Sequence, residues 1–117
     1  MDGEISPSEV EALLETDDSP RVVDIRSPAA FRRGHIPGSE NIPFNELPQR
    51  VASLDGADHI VTVCPHGQSS IQAARLINSY EGTDTACVES MHGGLTEWDG
   101  EIEAASTAPN EGPSTPF

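Results

Sequence analysis

The sequence predicts an α/β domain with a largely parallel sheet. The prediction rests on short, β-branched segments that alternate along the chain with helical segments. The most distinct strand pattern is residues 59–63, which read His-Ile-Val-Thr-Val. Because apolar or β-branched side chains point to both faces there, we expect this strand at the centre of the sheet. The length of 117 residues suits a single domain that folds around one core, without disulfide or metal staples.

The first predicted helix begins at Pro7 and runs to about Leu14. Ser6 stands where a helix cap is expected, and Glu9 completes a capping box with it. The polar segment 16–20 ends in Pro20 and stops the helix. The start of this helix is therefore well marked in the sequence.

The remaining elements follow in alternation. Strands are expected at residues 22–25, 39–42 and 85–89, and helices at residues 27–31, 44–54, 70–80 and 95–98. Gly34 ends the second helix region. From residue 104 onward the composition is dominated by Ala, Ser, Thr, Pro, Asn and Gly. We therefore expect a folded domain over residues 1–103 and a disordered tail over residues 104–117.

The charge is strongly one-sided, with 20 acidic residues against 6 arginines, no lysine and a formal net charge of -14. Such a surface repels polyphosphates and anionic lipid headgroups, so neither nucleic acid nor a membrane is expected as a partner. High acidity can serve solubility alone. The absence of lysine beside so many carboxylates favours adaptation to high salt, where screening limits self-repulsion.

The two cysteines, Cys64 and Cys87, occur in a chain without a signal-peptide pattern or an apolar run of the ~20 residues that a membrane span needs. A cytoplasmic protein with two free thiols is expected, and a disulfide ranks below it.

We expect a monomer or weak dimer. No cofactor is expected, because the chain has no glycine-rich nucleotide loop. No metal site is expected either, because the histidines lack zinc-like spacing to cysteine or carboxylate; they are His35, His59, His66 and His92.

The segment that follows the predicted central strand carries the strongest chemical signal. Cys64 stands at the end of the strand, Gly67 lies in the loop, and small hydroxyl residues lead to Ser70 and the next helix. Ligands of open α/β sheets bind at the carboxyl ends of strands, and loop amides with a helix N-terminus favour an anion there. The same field favours a thiolate, so Cys64 should be more acidic than a free cysteine. The alternative is that Cys64 is a small buried apolar residue. Cys87 has no such loop and is assigned to packing.

Four segments resemble, in order, the motifs of the single-domain rhodaneses, the thiosulfate sulfurtransferases. The segments are Asp24-Ile25-Arg26, similar to D-x-R; residues 31–43, similar to F-x-x-G-H-I-P-G-A-x-N-I-P; residues 64–70, Cys-Pro-His-Gly-Gln-Ser-Ser, similar to the active-site loop; and residues 91–98, similar to the closing G-G-x-x-x-W. The resemblance extends over about residues 5–98. It implies a rhodanese-like domain, with a central, largely parallel five-stranded sheet flanked by helices on both faces.

The resemblance also implies a double displacement through a Cys64 persulfide. Cys64 would take the outer sulfur of thiosulfate or another small sulfur-containing anion, and cyanide or a thiol would then remove it. A thioredoxin-like dithiol or a sulfur-carrier protein is a candidate acceptor. The substrate-binding residues implied are Pro65, His66, Gly67, Gln68, Ser69 and Ser70, with Arg26 as an additional candidate cation.

The loop departs from many rhodaneses in having neither arginine nor lysine, so we expect weak thiosulfate binding. Cysteine phosphatases and arsenate reductases place an arginine after five loop residues, where this chain has Ser70, and therefore rank lower. A relay or protein-binding module without thiosulfate turnover is the other alternative. Inactive members of such families usually lose the cysteine, which is present here.

Several other residues allow two interpretations. His35 can act as a base, but its turn-like setting favours a structural role. Asp24 is expected to brace the end of its strand, whereas Arg26 can brace or bind substrate. His66 can contact substrate or face solvent. His92 and Trp98 are assigned to packing and closure.

Overall fold

Among the described residues, five parallel strands form one sheet in the order β1-β5-β4-β2-β3. The computed structural model describes residues 2–17, 19–83 and 86–104. The strands are β1 (Asp2–Ile5), β2 (Arg21–Asp24), β3 (Glu40–Asn41), β4 (His59–Val63) and β5 (Cys87–Met91). Strand β4 pairs with β2 on one side and β5 on the other, so the predicted central position is confirmed. Because the strands are parallel, their carboxyl ends share one edge of the sheet.

In the part of the chain that the structure describes, four α-helices and four 3₁₀ turns lie between the strands or follow the last one. The helices are α1 (Pro7–Leu14), α2 (Pro28–Arg33), α3 (Leu47–Arg50) and α4 (Ser69–Asn78), and the 3₁₀ turns are Phe44–Glu46, Val51–Leu54, Glu81–Thr83 and Gly94–Glu97. The predicted capping box is present: Ser6 Oγ accepts a hydrogen bond from the Glu9 amide, and Glu9 Oε1 accepts one from the Ser6 amide, both at 3.2 Å. None of the helices in these described segments has the length and apolar character needed to cross a bilayer.

The core has one layer on each face of the sheet, because successive side chains of a strand point to opposite faces. On one face, Val23, Ile60 and Val88 pack with apolar side chains of α3 and α4. On the other, Val22 and Val61 pack with residues that include Val10 of α1 and Trp98. Trp98 thus has the predicted packing role, whereas the assignment of His92 to packing is wrong, because its side chain is exposed. Helical segments therefore cover both faces, and the predicted α/β class with a parallel five-stranded sheet is confirmed.

The predicted closing helix 95–98 is the 3₁₀ turn Gly94–Glu97, and the structure differs further from the sequence prediction at three elements. Strand β1 was not predicted, because in the segment 2–5 only Ile5 is apolar; its backbone pairs with β5 at the sheet edge. The segment 44–54 is not one helix but a short helix between two 3₁₀ turns. Pro48 explains this, because it has no amide hydrogen to bond the Phe44 carbonyl of a continuous helix. Strand β5 reaches Met91, two residues beyond the predicted end, while predicted position 85 lies outside the described residues.

The predicted tail lies almost entirely outside the described residues, which end at Ala104. Just before that end, Glu103 forms an antiparallel bridge with His35. Their backbones exchange two hydrogen bonds, of 2.9 and 2.8 Å. The chain is thus attached to the domain up to residue 103, and disorder beyond it stays a prediction.

Candidate active site

Cys64 directly follows β4, at the carboxyl end of the central strand. The loop of residues 65–68 connects it to α4, which begins at Ser69. Four of the five residues of β4 are buried, so the strand is a rigid base for the loop. Cys64 itself is 2 % exposed. The structure thus has the strand–cysteine–loop–helix order that the sequence predicts.

Polar groups of the loop and of the first turn of α4 surround the Cys64 sulfur. The Gly67 amide nitrogen lies 3.1 Å from Sγ and the Ser70 amide nitrogen 3.4 Å from it. Ser70 Oγ is also 3.4 Å from Sγ. Three polar groups therefore converge on one sulfur atom, and this arrangement stabilises negative charge on it.

The pKa of the Cys64 thiol is lowered from its ordinary value by this environment. Burial is the largest single influence and raises the pKa, because it disfavours the charged thiolate. The Ser70 hydroxyl and the amides of Ser70, His66 and Gly67 act in the opposite direction and together outweigh burial. The net lowering of the Cys64 pKa agrees with the acidic thiol that the sequence predicts.

The 3₁₀ turn Gly94–Glu97 holds the start of the loop through two backbone hydrogen bonds. The amide of Leu95 donates to the Cys64 carbonyl at 2.9 Å, and the amide of Thr96 donates to the Pro65 carbonyl at 3.1 Å. Gly94 has φ +66°, and a Cβ there would collide with the Cys64 carbonyl oxygen. The glycine is therefore needed for the close approach of the two backbones.

The first turn of α4 is held by two hydroxyls from the sheet. Ser90 Oγ of β5 lies 2.6 Å from Ser70 Oγ, and Thr62 Oγ1 of β4 donates to the Ser70 carbonyl at 2.7 Å. All three residues are fully buried. Sequence reasoning did not select Ser90. No signal along the sequence marks it, because its contact with Ser70 depends on the register in which β5 pairs with β4.

The predicted substrate-binding residues divide into an inner and an outer group. Gly67 and Ser70 are buried against the sulfur, whereas the outer side chains are exposed around the loop; these are Pro65, His66, Gln68 and Ser69. Contact of any of them with substrate stays a prediction.

Arg26 lies two residues beyond the end of β2 and is held by Asp24, the last residue of that strand. Its Nε and Nη2 donate to the two Asp24 carboxylate oxygens at 2.9 and 2.7 Å, and Nη2 also donates to the Gly34 carbonyl at 2.6 Å. Asp24 is 1 % exposed, so its charge needs this partner. Asn41 Nδ2 donates to the carbonyls of Asp24 and Arg26. These contacts support the bracing role of Asp24, and substrate binding by Arg26 stays a prediction.

His35 uses both ring nitrogens within the fold. Nδ1 is 2.7 Å from the Phe31 carbonyl oxygen and Nε2 is 3.6 Å from a Glu103 carboxylate oxygen. The imidazole is buried and stacks on the Phe31 ring at 3.8 Å between centroids. These contacts favour the structural role over that of a base.

Cys87 lies at the opposite edge of the sheet from Cys64. It is the first residue of β5 and pairs with His59, the first residue of β4. Both thiols are free, so the disulfide alternative is wrong. Cys87 is half-buried rather than enclosed, and burial followed by the charge of Glu89 raises the pKa of its thiol. The two cysteines thus have opposite electrostatic settings.

Comparison with known proteins agrees with this architecture. The chain is 37 % identical over 94 residues to the thiosulfate sulfurtransferase GlpE of Pseudomonas aeruginosa, an alignment that covers 80 % of this chain and 81 % of that one. It is 30 % identical over 100 residues to the putative sulfur carrier protein YrkF of Bacillus subtilis, covering 86 % of this chain but 52 % of that one. The chain therefore spans about half the length of that second relative.

Solved structures show the same fold. A rhodanese-like domain protein of Staphylococcus aureus superposes with a TM-score of 0.76 at 21 % identity, covering 87 % of this chain and 97 % of that one. The rhodanese-like domain of the Anabaena protein Alr3790 gives a TM-score of 0.76 at 23 % identity, covering 97 % of this chain and 89 % of that one. The family model described as the rhodanese-like domain matches residues 6–101. The parallel sheet, the loop around Cys64 and these matches together show that the chain belongs to the rhodanese family.

Proposed function

We propose that this protein is a sulfurtransferase that carries a sulfane sulfur as a persulfide on Cys64. The observation that carries the proposal is the Cys64 thiol of lowered pKa, enclosed by the amides of Gly67 and Ser70. A thiolate is the nucleophilic form of cysteine, and this loop favours it. The thiosulfate sulfurtransferase GlpE, 37 % identical, supports the same activity.

The first half-reaction loads the cysteine. The Cys64 thiolate attacks the outer sulfur of thiosulfate, the sulfur–sulfur bond of thiosulfate breaks, and its electron pair leaves with sulfite. The product is a Cys64 persulfide whose terminal sulfur carries the negative charge. The amides that point at Cys64 Sγ and the Ser70 hydroxyl can donate hydrogen bonds to that charge and so stabilise it.

The second half-reaction removes the terminal sulfur from the Cys64 persulfide. Cyanide attacks the terminal sulfur, the persulfide bond breaks, and thiocyanate leaves while the Cys64 thiolate is restored. A thiol or dithiol acceptor follows the same course and leaves as its own persulfide. The loop therefore binds a negatively charged sulfur at each stage and returns to its starting state.

Thiosulfate is expected to bind weakly. The loop side chains carry no fixed positive charge, since residues 65–70 include neither arginine nor lysine. Neutral donors bind anions less strongly than charged ones do. A persulfide of a small thiol or of a protein is therefore a plausible physiological donor, and the exposed side chains of His66, Gln68 and Ser69 are available to contact it.

The test is cyanide-dependent thiocyanate formation from thiosulfate. We expect turnover by the wild type, none by Cys64→Ala, and wild-type turnover by the matched control Cys87→Ala. Equal activity of Cys64→Ala and the wild type would refute the role of Cys64. Absence of turnover with every sulfane donor would refute the proposed function.

A relay module is the second candidate, supported by the putative sulfur carrier YrkF among the relatives. In that case Cys64 would accept sulfur from a protein or thiol persulfide but not from thiosulfate. Loading by the persulfide of a small thiol, without thiocyanate formation from thiosulfate, would favour the relay.

A further inference from the structure

Three metal-binding side chains meet at the edge of the sheet opposite Cys64. They are His59 at the start of β4 and Cys87 and Glu89 of β5. The register pairs His59 with Cys87 and Val61 with Glu89, so all three side chains lie on one face of two adjacent strands. Their ligand atoms are all within 4.8 Å of one another, and His59 Nε2 is 2.8 Å from Glu89 Oε1.

The donor set is one imidazole nitrogen, one sulfur and one carboxylate oxygen. Nitrogen and sulfur ligands select zinc and similar divalent transition metals over magnesium or calcium, which prefer oxygen. A thiolate and a carboxylate together balance the two charges of such a cation. Three protein ligands leave the fourth tetrahedral position for water, an arrangement found at open zinc sites.

The distances between the three ligand atoms need only small changes to fit a tetrahedral zinc ion. Ligands about 2.0–2.3 Å from a zinc ion lie roughly 3.3–3.8 Å from one another in a tetrahedron. The His59–Glu89 hydrogen bond would open slightly to admit the ion, and the Cys87 sulfur would move closer. Side-chain rotation can supply both changes, because the three residues are half-buried and not enclosed.

The site is open to solvent on the His59 side. His59 lines a cavity of about 500 Å³, together with residues that include Ser19 and Asp58. Of the three candidate ligands only His59 lines this cavity. The net charge of -14 also concentrates cations near the surface.

We propose that His59, Cys87 and Glu89 form a binding site for a divalent transition metal of the zinc class. The sequence spacing did not indicate it, because the three residues are brought together by strand pairing. Binding replaces the thiol proton of Cys87, which passes to solvent, with the metal. The site is separate from the Cys64 loop and joins the two central strands β4 and β5, so the bound ion stabilises the sheet and takes no part in sulfur transfer.

The test uses cobalt(II) as a spectroscopic probe in a Cys64→Ala background, which removes the other thiol. We expect a thiolate-to-cobalt charge-transfer band, displaced by zinc, that is lost in Cys87→Ser. His59→Gln and Glu89→Gln should weaken zinc binding by roughly tenfold or more, since even outer-shell changes cost 10–100-fold. The matched control His92→Gln removes an exposed histidine elsewhere and should leave binding unchanged.

A second readout is the thermal midpoint. Zinc should raise it in the Cys64→Ala protein and in His92→Gln, but not in Cys87→Ser. No charge-transfer band, or zinc stabilisation that persists in both Cys87→Ser and His59→Gln, would overturn the proposal, because the ion would then be held by surface carboxylates. Since the background protein cannot form a Cys64 persulfide, neither result depends on the proposed sulfurtransferase activity.

Discussion

Ser90 Oγ lies 2.6 Å from Ser70 Oγ, which in turn lies 3.4 Å from the Cys64 sulfur. These two hydroxyls link β5 to the first turn of α4, beside the Cys64 sulfur. Both serines are fully buried, so water cannot replace either partner. Ser90 therefore positions the Ser70 hydroxyl toward the sulfur without touching the sulfur itself.

Replacing Ser90 by alanine should raise the pKa of the Cys64 thiol. The folded-state pKa is lowered in part by the Ser70 hydroxyl, so a less well-oriented hydroxyl moves the thiolate transition to higher pH. The pH profile of single-turnover sulfite release from thiosulfate measures this. We expect its inflection to shift upward in Ser90→Ala and further in Ser70→Ala, with no shift in Ser79→Ala, an exposed control. An unchanged profile in both buried variants would exclude the hydroxyl chain from thiolate stabilisation.

Gly94→Ala should displace the active-site loop. A Cβ at this position would collide with the Cys64 carbonyl oxygen and come within 2.5 Å of the Pro65 carbonyl carbon. The control is Gly38→Ala, which also has positive φ but no heavy atom within 4 Å of the added Cβ. Positive φ alone costs about 1–2 kcal/mol. We expect this loss of unfolding free energy for Gly38→Ala with activity retained, and a larger loss with little activity for Gly94→Ala. Equal effects on both properties would contradict the collision.

Arg26→Gln should destabilise the fold by about 3–5 kcal/mol, because it leaves the buried Asp24 carboxylate unpaired. The side chain of Arg26 is 15 % exposed and that of Asp24 is 1 % exposed, so solvent cannot compensate. The double variant Asp24→Asn/Arg26→Gln should recover part of the loss in urea unfolding. If Arg26 binds substrate instead, the double variant would regain stability but retain a much higher KM for thiosulfate.

Sulfur transfer from thiosulfate should accelerate as salt rises toward molar concentrations. With a net charge of -14 the protein repels a dianion. Salt weakens this repulsion, because the Debye screening length falls to about 3 Å at 1 M salt. Single-turnover rates are compared for thiosulfate and for a neutral organic trisulfide. A salt effect on the stability of the protein changes both rates, whereas screening of the repulsion accelerates the reaction of thiosulfate alone. If the rates with both donors fall steadily as the salt concentration rises, the salt-adaptation hypothesis is refuted.

The sequence allowed prediction of the features that local patterns encode. The β-branched run 59–63 identified the central strand, and Cys64 with Gly67 identified the loop. Features that depend on strand register were not predictable. Ser90 reaches Ser70, and His59 meets Cys87, only because β4 and β5 pair in parallel at a particular register. Linear spacing carries no information about that pairing.

The edge strand β1 was missed for a related reason. Its pairing depends on backbone hydrogen bonds to β5, and a segment with Ile5 as its one apolar side chain shows no strand pattern. The segment 44–54 shows the opposite error, since its apolar spacing is helical but Pro48 interrupts the hydrogen bonding.

The most direct test of the Cys64 persulfide is the intact mass of the protein after treatment with a sulfane donor. We predict a species heavier by one sulfur atom in the wild type and in Cys87→Ala, which disappears on addition of cyanide as thiocyanate is released. The same treatment should leave Cys64→Ala unchanged. A sulfur adduct that forms equally in Cys64→Ala, or no adduct with either thiosulfate or a small-thiol persulfide, would contradict the account.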